Sequence, residues 1–194
     1  MAKQIIFSDS IYTSTLKDDV LDKHIQTNLK KAKEQNQLRI ISNQGGLQTS
    51  NILDKTFADC LRESIKNGLD AFQVKAKRIW MTSAWVNENK KGDYNILHVH
   101  PKASFVGNYY SIVPENSGDI NFYRNDVSVL MQKYASFFLT TDSFCHYALT
   151  PQSNLFMIFP AHLQHEVKPN NSKQNPTFQH QKRISIRRLF PSEI

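Results

Sequence analysis

The sequence predicts a mainly β protein in which N-terminal helices pack on a β-rich core of the antiparallel sandwich or barrel type. Two observations carry this prediction. Apolar residues recur at helical spacing up to about residue 75, and beyond it they form short β-branched and aromatic runs separated by turn residues. A length of 194 residues fits one domain, with residues 1–75 as the helical layer and residues 76–194 as the core.

Two apolar stripes define the predicted helices. The first stripe consists of Leu16, Val20, Leu21, Ile25 and Leu29. The second consists of Phe57, Cys60, Leu61, Ile65, Leu69 and Phe72. Because residues three and four apart share one side of a helix, each stripe would form one buried face. The segment Asn43-Gln44-Gly45-Gly46 lies between them and is typical of a turn.

The predicted strands are short and separated by turn signals, which favours antiparallel pairing. They are Arg78–Val86, Phe105–Val113, Asp119–Tyr123, Ala135–Thr141, Leu155–Phe159 and Arg183–Phe190.

The composition excludes several classes of protein. No apolar run is long enough to span a membrane or to form a signal peptide, so we expect a cytoplasmic protein. Cys60 and Cys145 lack C-x-x-C spacing, which argues against a zinc knuckle or a redox dithiol, and both are predicted to be buried. The net charge of +7 permits a nucleic-acid partner but does not by itself indicate one.

The sequence His98-Val99-His100 is the first candidate for metal chemistry. Alternate residues of a strand point to the same side, and neutral imidazole is a common ligand of divalent metals. An isolated H-x-H pair is structural about as often as it is functional. His165, which enters a predicted strand after the Phe159-Pro160 turn, is the preferred third ligand, with His162 as its competitor.

The remaining histidines have simpler interpretations. His24 is predicted to lie on the surface of a polar helix, and His146, which stands among aromatic residues, is predicted to lie in or beside the core. His180 falls in a polar loop.

At this point the residues resemble a known family. The chain is similar to the 2-oxoglutarate/Fe(II)-dependent oxygenases of the double-stranded β-helix (jelly-roll) type, and within them to a small family of bacteria and their phages. The matching motifs span most of the chain. They are Trp85-Val86-Asn87, Gly92-Asp93-Tyr94-Asn95, His98-Val99-His100-Pro101, Gly107-Asn108-Tyr109-Tyr110, Pro114–Ile120, Phe159-Pro160, His165-Glu166-Val167, Arg183-Ile184-Ser185 and the Asn43–Gly46 turn.

The resemblance implies a jelly-roll core and a mononuclear iron site formed by His98, His100 and His165. His100 stands where the superfamily usually has a carboxylate, although H-x-H-P is the pattern of the small family. Three histidines are also compatible with zinc.

The resemblance also implies a site for 2-oxoglutarate. Arg183 would pair with the far carboxylate of this co-substrate, and Ser185 would add a hydroxyl donor. Tyr110 and Asn87 are further candidates. The structural alternatives are that Arg183 belongs to a basic cluster with Arg187 and Arg188, and that Tyr110 is a core aromatic.

The implied reaction consumes O2 and 2-oxoglutarate, releases succinate and CO2, and hydroxylates a prime substrate that the sequence leaves unidentified. Two alternatives remain at this stage. A cupin-like barrel would bind metal without 2-oxoglutarate, but its usual glutamate ligand would have to be Glu115, in a turn. A basic, non-enzymatic nucleic-acid-binding protein would explain the charge alone.

Overall fold

The computed structural model describes residues 9–39, 41–75, 78–124 and 146–173, and the backbone alone over residues 181–191. Two helices are present there, α1 (Asp19–Glu34) and α2 (Lys55–Ala71). The strands are β1 (Tyr12–Thr15), β2 (Leu38–Arg39), β3 (Asn43–Gln44), β4 (Leu47–Thr49), β5 (Ile79–Trp80), β6 (Ser83–Asn89), β7 (Tyr94–His98), β8 (Phe105–Ile112), β9 (Ile120–Tyr123), β10 (His146–Leu149), β11 (Leu155–Pro160), β12 (Gln164–Val167) and β13 (Gln181–Pro191).

These strands form two antiparallel sheets. The large sheet has the order β1-β11-β8-β13-β6-β4-β2, with β5 paired to β13. The small sheet has the order β10-β9-β12-β7-β3. Strands that follow each other in the chain, such as β7 and β8, belong to different sheets, so the two sheets are built together from the same stretch of sequence. This is the jelly-roll arrangement.

The helices cover the outer face of the large sheet. Each begins at an aspartate N-cap, where Asp18 accepts a hydrogen bond from Leu21 N at 2.9 Å and Asp54 accepts one from Phe57 N at 2.8 Å. The apolar stripes then pack on the sheet. The buried residues of this core are Leu21, Ile25, Leu29, Phe57, Leu61, Ile65, Leu69, Ala84, Val86, Tyr109, Phe156 and Ile158.

A second core lies between the two sheets. It is formed by Val106, Tyr110, Ile120, Phe122, Met157, Phe159, Ala161, Leu163 and Val167. Because side chains alternate along a strand, the fully buried neighbours Tyr109 and Tyr110 belong to different cores. Tyr109 packs under the helices, while Tyr110 faces the space between the sheets, where the candidate site lies.

The predicted fold class is confirmed, and both helices were predicted. The strands predicted at residues 105, 119, 155 and 183 are confirmed to within two residues at either end. The strand predicted at Arg78–Val86 is instead two strands, β5 and β6, and β6 continues to Asn89. The predicted strand Ala135–Thr141, Cys145 and His180 lie outside the described residues.

Four expectations need correction. The strands β1 to β4 interrupt the predicted helical layer; each has two to four residues, too few for an alternating pattern to be recognised. His146 is exposed on β10, where it stacks on Tyr123 with ring centroids 5.7 Å apart. His24 and Cys60 are half-buried, because the two helices pack closely enough to bring His24 within 3.4 Å of Asp54.

Within the described part of the chain, neither helix has the length and apolarity that a membrane crossing requires.

Candidate metal centre

Three imidazoles meet at one end of the small sheet. His98 is the last residue of β7, His165 lies opposite it on β12, and His100 follows two residues after His98. One potential ligand nitrogen from each ring lies within 4.8 Å of the other two. The structure thus brings together the three histidines singled out from the sequence.

An irregularity in β7 determines which residues face the site. His98 pairs with His165 and Asn95 pairs with Val167, so three steps along β7 match two steps along β12. This is a β-bulge at Ile96 and Leu97. Because of the extra residue, Asn95 and His98 both face the interior, although an odd spacing would put them on opposite faces of a regular strand.

Backbone carbonyls determine the tautomers of two of the imidazoles. His98 Nδ1 lies 2.7 Å from Ile96 O, and His165 Nδ1 lies 2.9 Å from Leu163 O. A carbonyl oxygen can only accept, so each Nδ1 carries the proton and donates it. The lone pair of each neutral ring is therefore on Nε2, the nitrogen that remains for a metal.

The spacing of the nitrogens fits a single metal ion. His100 Nε2 lies 3.3 Å from His165 Nε2. With metal–nitrogen bonds of about 2.0–2.1 Å and angles of about 90–110°, two ligand nitrogens lie about 2.8–3.4 Å apart. The backbone N–H of His100 donates to Ala161 O at 3.0 Å, which ties this residue to the turn before β12.

The site is buried against aromatic rings. His100 and His165 are 5% and 2% exposed, while His98 is half-buried. The Phe159 ring lies 4.8 Å from His165, and the Trp85 ring lies 6.2 Å from His100. Phe159 and Trp85 thus give the cluster apolar neighbours, and His98 is its most exposed member.

No carboxylate or thiolate among the described residues joins this cluster. Glu166, next to His165, is bonded instead to Tyr123 and Lys168. Burial raises the pKa of the Glu166 carboxyl, but hydrogen bonds from Lys168 and Tyr123 outweigh burial and leave that pKa below its ordinary value. Glu115, the glutamate that a cupin-like site would need, is exposed.

The predicted co-substrate residues fall in two neighbouring rows across the large sheet. The backbone of Arg183 on β13 is in register with Asn87 on β6 and with Tyr110 on β8. Asn87 and Tyr110 are 3% and 0% exposed. Ser185 occupies the next row, in register with Trp85 and Asn108. Arg183, Ser185, Asn87 and Tyr110 thus occupy adjacent register positions of the large sheet.

Two residues in this second row were not singled out from the sequence. Trp85 approaches His100, as described above. Asn108 is 2% exposed, and its Oδ1 has no hydrogen-bond partner among the described residues. A buried amide oxygen without a donor is costly and typical of a binding site. Its place in the Gly107-Asn108-Tyr109-Tyr110 motif, two residues before Tyr110 on the same strand, was a signal that could have identified it.

The other described histidines lie apart from the cluster. His162 is exposed and lies 3.3 Å from Asp9 at the surface. His24 lies between the helices, and His146 is on the outer side of the small sheet beside Tyr123.

Comparison with solved structures places the fold among oxygenases. An oxidoreductase of the 2OG-Fe(II) oxygenase family from Burkholderia pseudomallei superposes with a TM-score of 0.59 and 11% identity, over 90% of this chain and 84% of that one. A viral collagen prolyl hydroxylase from Paramecium bursaria Chlorella virus 1, solved with 2-oxoglutarate, gives 0.58 and 14%, over 91% and 94%. The α-ketoglutarate-dependent carbocyclase SnoK of nogalamycin biosynthesis gives 0.65 and 8%, over 93% and 79%.

At such identities these likenesses show the fold alone, and no curated protein matches the sequence. The family is instead identified from the amino-acid sequence. Residues 83–186, more than half of the chain, match the family described as "Putative 2OG-Fe(II) oxygenase", whose cofactors are Fe(II) and 2-oxoglutarate. The matched segment contains all three clustered histidines and the Asn87, Tyr110, Arg183 and Ser185 positions. The chain belongs to this family of 2-oxoglutarate- and Fe(II)-dependent oxygenases.

Proposed function

We propose that this oxygenase hydroxylates a C–H bond of its prime substrate, with His98, His100 and His165 as the Fe(II) ligands. The observation that carries the proposal is the convergence of the three imidazoles, two of which, His98 and His165, have their Nε2 lone pairs left available by backbone carbonyls. One 2-oxoglutarate and one O2 would be consumed per turnover. One oxygen atom would enter succinate and the other the hydroxyl group, and CO2 would be released.

The protein contributes ligand geometry to this reaction. Bound iron, with 2-oxoglutarate, supplies the oxidising chemistry. Ile96 O and Leu163 O hold the rings of His98 and His165, so these ligands need little reorganisation when the metal binds. Three protein ligands would leave coordination positions for the co-substrate and for O2.

Arg183, Ser185, Tyr110 and Asn87 are proposed to hold 2-oxoglutarate. Register places Arg183 between Asn87 and Tyr110, on the strand between β6 and β8. A guanidinium group suits a carboxylate because it can donate two parallel hydrogen bonds. The hydroxyl of Tyr110 and the amide of Asn87 are buried and can add donors beside it.

The most direct test of the activity is succinate formation. The purified protein with 2-oxoglutarate and O2 is expected to form succinate only when Fe(II) is added, and chelation should stop the reaction. Because the prime substrate is unidentified, the measurement should use enzyme at high concentration and mass spectrometry of labelled 2-oxoglutarate.

Arg183 provides the test of the co-substrate site. Arg183→Ala is expected to raise the 2-oxoglutarate concentration for half-maximal succinate formation by about 10–100-fold, the effect of losing a charged hydrogen-bond pair. Arg187→Ala is the matched control, because Arg187 lies on the same strand in register with Ser83 and Val106. Equal effects of the two substitutions would contradict the assigned role of Arg183.

A further inference from the structure

The Asn43–Gly46 turn leads into a buried side chain to which the proposed function assigns no role. We propose that Gln48, two residues after this turn, belongs to the co-substrate site and donates an amide hydrogen bond to the far carboxylate of 2-oxoglutarate. The inference rests on the proposed function, which assigns that carboxylate to Arg183, and it adds a residue that the sequence motifs did not indicate.

Register places Gln48 in one row with three of the predicted co-substrate residues. Gln48 on β4 is in register with Asn87 on β6, which is itself in register with Arg183 on β13. Arg183 is in register with Tyr110 on β8. Residues in register on neighbouring strands point to the same face of a sheet. Tyr110 packs in the core between the sheets, whereas Val86, next to Asn87, packs under the helices, so Gln48 faces the interior between the sheets.

The turn before Gln48 crosses from one sheet to the other. The strand before the turn, β3, pairs with β7 in the small sheet, and the strand after it, β4, pairs with β6 in the large sheet. Gln48 therefore lies on the side of the interior where the two sheets are joined. 2-Oxoglutarate would extend from the histidines, which lie at one end of the small sheet, to the row on the large sheet that contains Gln48.

Contacts on both sides of Gln48 hold its strand against β6. Before it, Gly46 lies so close to β6 that a Cβ there would be 2.5 Å from Asn89 Oδ1. After it, Thr49 Oγ1 accepts a hydrogen bond from Val86 N at 3.0 Å. The backbone of Gln48 is thus fixed between two close contacts, so little ordering of the backbone is needed when the co-substrate binds.

The amide of Gln48 has the chemistry that this position requires. Gln48 is 5% exposed and Asn87 beside it is 3% exposed. Buried amides are costly unless they are hydrogen-bonded, and the amide group of glutamine offers two N–H donors without adding charge. A hydrogen bond from such a donor to a carboxylate is stronger than one between neutral groups. The amide of Gln48 can therefore stabilise a carboxylate bound at this row.

Two ligands that differ only at the far end distinguish a contact with the carboxylate from a general effect on the site. 2-Oxopentanoate has the keto-acid end and the chain length of 2-oxoglutarate, but it carries a methyl group in place of the far carboxylate. Anaerobic calorimetric titration of the manganese(II)-loaded full chain measures both dissociation constants without turnover. The ratio of these constants is the preference of the site for the far carboxylate.

Two glutamines in the same hairpin provide matched variants. Gln48→Met nearly keeps the side-chain volume but removes the donor, and it should lower the preference for 2-oxoglutarate about tenfold. Gln48→Glu places a negative charge against the carboxylate and should lower that preference at least about thirtyfold. Gln44→Glu adds the same charge at an exposed position on β3, where solvent screens it, and should change the preference less than about threefold.

The outcomes separate this inference from the proposed function. Wild-type protein that binds manganese(II) but not 2-oxoglutarate would contradict the co-substrate site itself, and the role of Gln48 with it. Normal wild-type binding with an unchanged preference in the Gln48 variants would overturn the role of Gln48 and leave the proposed function standing. Equal weakening of both ligands in Gln48→Met would also overturn that role, because a structural effect does not distinguish a carboxylate from a methyl group. If thermal unfolding shows that Gln48→Glu does not fold, the result for Gln48→Met decides alone.

Discussion

Single atoms determine how the imidazoles of the site can bind metal. Ile96 O and Leu163 O each accept an Nδ1 proton, and both carbonyls lie two residues before the histidine they hold. The same local contact thus occurs on two different strands. Because it depends on the backbone, no side-chain pattern in the sequence predicts it.

Asn108 allows a prediction about stability and binding together. Its buried Oδ1 lacks a partner among the described residues, so Asn108→Ala removes a group that is already costly. The free energy of unfolding without ligand is expected to change by less than about 0.5 kcal/mol, since the lost packing is offset. The affinity for 2-oxoglutarate should fall, which calorimetric titration of the metal-loaded protein would measure.

Asn95 is the matched control for this prediction. It is equally buried, but its amide accepts from Asn89 Nδ2 at 3.2 Å and donates to Ser42 Oγ at 3.3 Å. Asn95→Ala leaves these partners unsatisfied and should destabilise the protein by about 1–3 kcal/mol in urea unfolding. If Asn108→Ala costs as much as Asn95→Ala, then Asn108 has a structural role instead.

The sequence predicted which histidines would meet, but it did not identify every residue around them. Imidazole chemistry and the H-x-H spacing distinguish His98 and His100 from the rest, and a strand entry distinguishes His165 from His162. Trp85 and Asn108 carry no comparable signal, because an aromatic or an amide within a strand is compatible with an ordinary core. Trp85 is recognised by its ring 6.2 Å from His100 and Asn108 by its buried amide oxygen, and both share a row with Ser185.

At the scale of elements, the bulge in β7 determines which side chains face the candidate site at one end of the small sheet. It allows Asn95 to join an amide network and His98 to face the histidine cluster from the same strand. The two bulge residues, Ile96 and Leu97, and the nearby Val99 are exposed apolar residues. A regular alternating pattern predicted the orientation of His98 relative to His100, but the extra residue before His98 leaves no recognisable mark in the sequence.

Two glycines with the same backbone conformation test how closely the segment before β9 packs against the segment after β12. Gly118 and Gly92 have φ of +89° and +88°. A Cβ at Gly118 would lie 2.2 Å from Lys168 O, whereas at Gly92 it would meet nothing within 4 Å. Gly92→Ala should therefore cost about 1–2 kcal/mol, for the left-handed backbone alone. Gly118→Ala should cost about 1–3 kcal/mol more, because a backbone carbonyl must move.

Thermal and urea unfolding of the two variants would measure this difference. The comparison isolates the steric contact, since both variants carry the same conformational penalty. Equal destabilisation would contradict the close approach of the segment before β9 to the one after β12, which Lys168 N also joins by donating to Asp119 O at 2.9 Å.

At the scale of the whole molecule, the fold follows from a division of apolar surface between two cores. The stripes on α1 and α2 predicted the first core, and the aromatic runs predicted the second. What the sequence could not predict was the pairing order, since sheet neighbours such as β8 and β13 lie far apart in the chain. The short strands β1 to β4 owe their conformation to that pairing and not to their own residues.

Family membership decides between the alternatives that the sequence left open. A cupin-like barrel without 2-oxoglutarate and a non-enzymatic nucleic-acid-binding protein both disagree with a match that covers residues 83–186. The structural neighbours include a prolyl hydroxylase and a carbocyclase, so this fold accommodates different substrates around a common type of centre.

The central claim is that His98, His100 and His165 hold one iron that chelates 2-oxoglutarate. Anaerobic titration with Fe(II) and 2-oxoglutarate tests it most directly, because the chelate has a visible charge-transfer band. The account predicts a band that saturates at one iron and one 2-oxoglutarate per chain, persists in His162→Ala and disappears in His165→Ala. A wild-type protein that binds iron without forming the band, or an unchanged band in His165→Ala, would contradict it.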